Sequence, residues 1–154
     1  MSTYIEPVAA RTDWETPQWL FDHLDAEFHF ILDVCANEAN KKCKNFCSDM
    51  GLGGLYAPWH GSCWMNPPYG KEIGKWIERA LHSAQNDNCT VVCLLPARSN
   101  CDWWKYVIQG EVRFIRRKLR FVGGTSVSMF PNVIVIFRPL LERGGTMSIM
   151  DVRP

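Results

Sequence analysis

The chain has 154 residues, of which 47% are hydrophobic and 21% charged, and its formal net charge is +1 at pH 7. These values exclude an intrinsically disordered chain and predict one compact globular domain with a single core. No apolar run is long enough to span a membrane, and residues 1–7 lack a signal-peptide core, so we expect a cytoplasmic protein. Because the net charge is close to zero, any nucleic-acid binding must depend on a local basic patch.

The seven cysteines form an odd number without a secretory context, and we expect reduced thiols. Cys43, Cys47, His60 and Cys63 have residue types that suit tetrahedral zinc, but their spacing matches no standard zinc framework. We therefore predict that the chain has no metal site.

Residues 1–12 are predicted to form a loosely held arm, followed by an amphipathic helix that begins near Thr16. Thr16 is a good N-cap, Pro17 suits the first helical position, and apolar residues follow at helical spacing. The free N–H groups at a helix start suit a carboxylate ligand. This helix start is therefore a candidate ligand contact as well as a core element.

Residues 28–36 predict the first strand, which we expect to end at Asp33 and the small residues after it. A carboxylate at a strand end attracts positive charge, and small side chains let a ligand approach the backbone. An aspartate that simply caps the strand is an equally good interpretation. Residues 37–61 are predicted to be irregular, with a short strand at residues 45–47 and glycines 51, 53 and 54 as flexible linkage. Asp49 is a second acidic candidate for a cofactor pocket.

The most informative stretch is Asn66-Pro67-Pro68-Tyr69, which follows the short apolar run of residues 62–65. Paired prolines cannot continue a central strand, because each lacks the ladder N–H and fixes its own backbone angle. The strand is therefore predicted to end at Asn66 and to present a stiff loop at its carboxyl end. In open α/β sheets, ligands bind at this position.

This loop has the groups needed to hold a planar amine. The Asn66 side-chain oxygen and the Pro67 carbonyl are two acceptors on a rigid frame, suited to both hydrogens of an exocyclic NH2 group. Tyr69 offers a π-face for a base, a stacking contact worth roughly 1–3 kcal/mol. The pattern is typical of amino-methyltransferases that use S-adenosylmethionine, chiefly those that act on adenine N6. A tight turn without function is the alternative interpretation.

Residues 71–85 predict a helix, residues 90–96 a strand buried on both faces, and residues 99–110 another helix. Residues 111–121 are strand-like and strongly basic. Alternation would place Arg116, Lys118 and Arg120 on one face, with Arg117, Leu119 and Phe121 on the other. This segment is either a solvated edge strand protected by charge or a strip of phosphate contacts.

The last predicted strand is residues 133–137, and the tail at residues 140–154 is expected to be mobile. Strands that alternate with helices predict a mostly parallel sheet covered on both faces. We therefore predict an α/β fold with a single main domain at residues 13–139.

Together, these motifs resemble those of the small phage- and prophage-type DNA N6-adenine methyltransferases. The resemblance covers residues 14 to 139 and rests on six segments: residues 14–17, 32–36, 64–69, 94–97, 118–121 and 130–132. The family's Gly-Arg-Leu-Arg-Phe segment appears here with Arg117 in place of the glycine. Members of this family have a Rossmann-like fold and use S-adenosylmethionine.

The resemblance implies a place for each group of site residues. Those expected in the cofactor pocket are Thr16, Pro17, Asp33, Cys35 and Ala36, and those expected to hold the target base are Asn66, Pro67, Pro68 and Tyr69. From the basic segment itself, Arg116, Arg117, Lys118 and Arg120 are expected to contact DNA, and Phe121 and Phe130 are candidates for packing against the flipped base.

The expected reaction is methyl transfer from S-adenosylmethionine to N6 of an adenine flipped out of duplex DNA. The alternatives are cytosine-N4 methylation, methylation of a protein glutamine, and an inactive nucleic-acid-binding module. We expect a monomer or a homodimer, located in the cytoplasm of a bacterial host if the protein is phage-encoded.

Overall fold

The computed structural model describes residues 15–48, 53–123, 130–139 and 145–154 of the chain. Its strands are β1 (Leu32–Ala36), β2 (Asn45–Ser48), β3 (Ser62–Met65), β4 (Thr90–Pro96), β5 (Glu111–Ile115), β6 (Asn132–Phe137) and β7 (Met147–Met150). Its helices are α1 (Gln18–Phe28), α2 (Gly53–Tyr56), α3 (Ile73–Asn86) and α4 (Trp104–Val107). No helix among these residues is long and apolar enough to cross a membrane.

The seven strands form one sheet in the order β2-β1-β3-β4-β6-β5-β7. The first four strands of that order are parallel to one another, whereas β6 runs antiparallel to both of its neighbours and β7 is parallel to β5. All residues of β1 and β6 are buried, as expected for strands covered on both faces. The prediction of an α/β domain with a mostly parallel sheet is confirmed.

One edge of the sheet brings together two polar residues from distant parts of the sequence. The parallel strands β1, β3 and β4 all end at this edge. The antiparallel strand β6 begins there, because its first residue, Asn132, is paired with Pro96, the last residue of β4. Asn66, directly after β3, and Asn132 therefore lie at the same end of the sheet.

The two N-terminal elements differ from their predicted boundaries. Helix α1 begins at Gln18 with Pro17 in the cap position, and no side chain caps it, so the prediction of Thr16 as N-cap is wrong. The Pro17 carbonyl accepts the first helical hydrogen bonds, from Leu20 and Phe21. Strand β1 begins only at Leu32, so Asp33 lies near the start of the strand rather than at its end.

Two predictions for the C-terminal third of the chain are also wrong. Strand β5 ends at Ile115, so the basic residues that follow it do not alternate on a strand. The expected mobile tail contains β7, which pairs with β5 from Val112 to Ile115. A single four-residue strand of mixed polarity gives no detectable period in the sequence, and its pairing with β5 alone defines it.

Gly54 fixes how closely α2 packs on the sheet and is not part of a flexible linker as predicted. A Cβ atom at this position would lie 2.3 Å from the Val34 carbonyl oxygen and 2.8 Å from the Trp76 ring. At Gly53 the nearest atom would be 3.6 Å away, an ordinary contact. Of these two glycines, the one at position 54 therefore needs the absence of a side chain. Gly51 lies outside the described residues.

A network of charged groups joins the end of α1 to β5 and β6. The Arg113 guanidinium donates to both oxygens of Glu27, at 2.7 and 2.8 Å, and to Glu111 at 2.6 Å. Arg138 also donates to Glu111, and both arginines lie over the Phe28 ring. Burial favours a raised pKa for Glu111, but the hydrogen bonds from Arg113 and Arg138 outweigh it and lower the pKa below its ordinary value.

This network predicts a pH-dependent contribution to stability. A carboxyl group with a lowered pKa stabilises the fold above its unfolded pKa, and this stabilisation is lost as the pH falls through the folded value. We expect Glu111→Gln to lower the free energy of unfolding by about 1 kcal/mol at neutral pH, since the carboxylate is partly exposed to water. The difference from the unmodified protein should shrink as the pH falls below about 4.5, the range of an unperturbed glutamate.

Urea unfolding at several pH values measures this difference. Glu78→Gln, at an exposed position of α3, is the matched control and should leave stability unchanged at every pH. A loss in Glu111→Gln that stays constant down to pH 3 would contradict the assignment.

Candidate active site at the carboxyl edge of the sheet

The Asn66-Pro67-Pro68-Tyr69 loop connects β3 to α3 at the carboxyl edge of the sheet, as predicted. The strand ends at Met65, and the helix begins at Ile73. Asn66 and Pro68 are partly exposed, whereas Pro67 and Tyr69 are buried. The loop therefore presents two of its residues to solvent on a frame held by the other two.

The Asn66 side chain is oriented by a distant part of the chain. Its amide nitrogen Nδ2 donates to the Thr16 hydroxyl oxygen Oγ1 at 3.0 Å, across 50 positions of sequence. Thr16 is buried, and its hydroxyl serves this contact instead of capping α1. Because the two polar atoms of an amide share one carbon, Asn66 Oδ1 is directed away from Thr16.

The Tyr69 ring is held from several sides. Its hydroxyl donates to the Leu94 carbonyl at 3.1 Å and accepts from Asn132 Nδ2 at 3.3 Å. Phe121 meets the ring edge-on with centroids 6.4 Å apart, and Phe130 is tilted against it at 5.7 Å. Burial raises the pKa of Tyr69 well above its ordinary value, against a smaller opposite effect of Asn132. The phenol therefore stays neutral.

Asp33 organises the backbone after β1. Its carboxylate is buried and accepts hydrogen bonds from the backbone N–H groups of Cys35 at 3.3 Å and Lys42 at 3.0 Å. Cys35 and Ala36, the next candidates along β1, are buried beside it. This arrangement gives Asp33 a structural role in closing the loop between β1 and β2.

The segment of residues 15–17 links three parts of the predicted site. The Glu15 carbonyl accepts from the Val122 backbone N–H at 3.1 Å, directly after Phe121. The Glu15 carboxylate pairs with the Lys42 ammonium group at 3.1 Å, and the Lys42 backbone binds Asp33. With the contact from Thr16 to Asn66, this short segment joins the β1 loop, the Asn66 loop and the end of the basic segment.

The predicted DNA-contact residues fall into an exposed group and a buried group. Arg116, Arg117, Lys118 and Arg120 are exposed, and Arg116 forms an ion pair with Asp151 at 3.1 Å. Phe121 is only 2% exposed and packs against Tyr69. The structure thus brings Thr16, Phe121 and Phe130 next to the Asn66 loop. The four exposed basic residues directly precede Phe121 in the chain.

The structure also identifies residues that the sequence analysis did not single out. Asn132 binds Tyr69, Lys42 joins the β1 loop to Glu15, and the Arg98 guanidinium lies 5.0 Å above the Phe130 ring. A polar residue at the start of a buried strand was the available signal for Asn132. Lys42 and Arg98 lie in irregular segments whose contacts no local pattern reveals.

The described residues contain no group of three metal-ligand side chains close enough to hold an ion. Burial, followed by the charge of Asp33, raises the pKa of the Cys43 thiol to about 12, which keeps it protonated. None of the seven cysteines forms a disulfide. A shallow cavity of about 480 Å³ beside α2 and α3 is lined by none of the predicted site residues. Asp49 lies outside the described residues.

Two sequence comparisons identify the family of the chain. The sequence profile of the DNA N-6-adenine-methyltransferase (Dam) family matches residues 5–153. The DNA N-6-adenine-methyltransferase of Haemophilus phage HP1 is 32% identical over 146 residues, which span 88% of this chain and 83% of the phage protein. The chain therefore belongs to the DNA N-6-adenine-methyltransferase family, whose members are adenine-specific DNA methyltransferases.

Proposed function

We propose that this protein transfers the methyl group of S-adenosylmethionine to N6 of an adenine that is flipped out of duplex DNA and held at the Asn66 loop. The observation that carries the proposal is the Asn66 amide, turned by Thr16 at the end of β3 and adjacent to the fixed Tyr69 ring. Both features lie where ligands bind in open α/β sheets. We further propose that the fold is the Rossmann-like one of such methyltransferases.

The first requirement of the reaction is a nucleophilic amine. The N6 lone pair of adenine is delocalised into the ring, and acceptors that hold both N–H hydrogens localise it on nitrogen. Asn66 Oδ1, directed away from Thr16, and the neighbouring Pro67 carbonyl would be these acceptors. Both are held before the substrate arrives, so little reorganisation remains for the transition state.

The second requirement is an extrahelical base with a defined orientation. A paired adenine cannot reach a pocket at the end of a sheet, so the base must leave the stack at a cost of a few kcal/mol. Stacking on Tyr69 would offset roughly 1–3 kcal/mol of that cost. Phe130, tilted against Tyr69 and carrying Arg98 over its ring, would bound the pocket on one side.

The third requirement is a donor site beside the amine. Bound S-adenosylmethionine supplies an activated methyl group on a sulfonium, so the protein needs to provide no covalent nucleophile. The free backbone N–H groups at the start of α1, next to Thr16 and Pro17, suit its carboxylate, and the small buried residues Cys35 and Ala36 suit close approach. These residues fit such a group, because α1 starts beside Asn66 and its cap residue Pro17 makes no side-chain capping hydrogen bond. Asp33 supports this pocket through the backbone.

The fourth requirement is a surface that attracts DNA. Arg117, Lys118 and Arg120 are exposed in the basic segment that ends at Phe121, next to Tyr69. Each lysine or arginine that neutralises a phosphate adds affinity and increases the salt dependence of binding. We therefore assign phosphate contacts to this segment and to Arg98, which lies at the same edge.

Asn66→Ala and Tyr69→Ala should each lower methylation by about 100-fold or more, while binding of S-adenosylmethionine largely persists. The first change removes an acceptor for the amine, and the second removes the stacking ring. The measurement is incubation with labelled methyl donor and unmethylated DNA, followed by nucleoside analysis, with calorimetry for cofactor binding. Tyr56→Ala, an exposed aromatic on α2, is the control and should keep full activity. Label in N4-methylcytosine, or normal turnover in either variant, would refute the assigned roles.

Thr16→Val should reduce methyl transfer about tenfold, because valine has the shape of threonine but offers Asn66 no hydrogen bond. Thr16→Ser should retain most of the activity. Single-turnover rates and the cofactor dissociation constant separate the two possible roles of Thr16. A lower rate at unchanged cofactor affinity indicates orientation of Asn66. Weaker cofactor binding at an unchanged rate would instead show that Thr16 serves only the donor site.

Arg120→Gln and Arg98→Gln should each weaken DNA binding and reduce the slope of log affinity against log salt by about 1. The rate at saturating DNA should change little, since neither side chain is assigned to the base. Fluorescence anisotropy at several salt concentrations measures the slope. Lys44→Gln, exposed between β1 and β2, is the matched control. A slope that stays unchanged in both arginine variants would contradict the proposed phosphate contacts.

A further inference from the structure

Asn132 is a buried polar residue at the candidate active site. It is only 1% exposed, in a strand that is otherwise entirely apolar and buried. Its amide nitrogen donates to the Tyr69 hydroxyl and to the Leu95 carbonyl, both at 3.3 Å. An apolar side chain would suit the rest of β6, so the polar side chain at this position needs an explanation.

Local stability does not explain the amide well. Its oxygen Oδ1 is fully buried and accepts no hydrogen bond within the part of the chain that the structure describes. A buried acceptor without a donor destabilises the folded state, and such groups are rare in native proteins. The role of Asn132 must therefore lie in the hydrogen bonds that its amide nitrogen donates.

The nitrogen of Asn132 completes a two-sided grip on the Tyr69 hydroxyl. The hydroxyl donates to the Leu94 carbonyl on β4 and accepts from Asn132 on β6, so both of its hydrogen-bonding roles are filled. Because β4 and β6 are adjacent antiparallel strands, the two contacts come from a rigid part of the sheet. Phe121 and Phe130 contact the ring itself, and the hydroxyl contacts fix its far end.

We infer that Asn132 is a positioning residue for methyl transfer, which holds the Tyr69 ring in the plane on which the adenine stacks. This inference rests on the proposed function, in which Tyr69 contacts the base. Asn132 does not touch the substrate in this role and acts only through the Tyr69 hydroxyl. Its loss therefore misplaces the base relative to the methyl donor and lowers the rate of transfer more than the affinity for DNA.

A double-mutant cycle between Asn132 and the Tyr69 hydroxyl tests this inference. The variants are Asn132→Leu, which keeps the side-chain shape, Tyr69→Phe, which keeps the ring, and the two combined. Each single change should lower kcat about tenfold, with the KM for DNA and the cofactor dissociation constant within about twofold of the unmodified protein. The double variant should be no slower than the slower single variant, because both changes remove the same contact.

Losses that multiply in the double variant, to about hundredfold, would overturn the inference, because the two groups would then act independently. A change confined to KM would also overturn it. Ser83→Ala is the matched control. Like Asn132, Ser83 is buried and its hydroxyl has no hydrogen-bond partner among the described residues. It lies near the end of α3, away from the Asn66 loop, and activity should stay within about twofold. Thermal unfolding of every variant checks folding. If Asn132→Leu is unfolded, Asn132→Ser replaces it in the cycle.

The proposed function and this inference fail through different results. If the unmodified protein leaves no methyl group on adenine N6, the proposed function is refuted. If the unmodified protein is active and the cycle is multiplicative, only the role of Asn132 is refuted.

Discussion

The hydrogen bond from Asn66 to Thr16 is the contact on which the rest of the site depends. It is formed between residues 50 positions apart, and it decides which way the two polar atoms of the Asn66 amide face. The same short segment accepts a backbone hydrogen bond from Val122 and pairs through Glu15 with Lys42. One piece of chain before α1 thereby sets the relative positions of the Asn66 loop, the β1 loop and the basic segment.

The antiparallel strand β6 makes the second contribution. In a fully parallel sheet the start of a strand lies at the edge opposite the ligand-binding loops, and its first residues could not reach Tyr69. Because β6 is reversed, its first residue lies beside the last residue of β4, at the edge where β3 ends. The reversal thus adds a strand start, with Asn132, to an edge otherwise built from strand ends. The buried Asn132 amide can therefore reach the buried Tyr69 hydroxyl without a long loop.

Features with a strong local signal could be predicted from the sequence, and those that depend on distant partners could not. The continuous apolar run of residues 90–96 predicts β4, and the boundaries of β4 agree with the prediction. The paired prolines predict the end of β3 in the same way. By contrast, Thr16 is a good N-cap by local rules, yet its hydroxyl binds Asn66, because a buried tertiary contact competes with the cap. Strand β7 is defined only by its pairing with β5. Strand β5 ends at Ile115, but the basic residues after it continue an alternating pattern, so the sequence does not show where β5 ends.

Gly54 shows how a missing side chain can constrain a site from a distance. With a hydrogen atom in place of a methyl group, the backbone of α2 can rest against the Val34 carbonyl, in the middle of the strand that carries Asp33 and Cys35. An alanine at position 54 would have to lift the helix off the Val34 carbonyl and also displace Trp76, which is fully buried. Any side chain with a Cβ at position 54 therefore requires the backbone to shift, whereas its neighbour Gly53 has room for alanine. The missing side chain at Gly54 thus sets how close the backbone of α2 lies to β1.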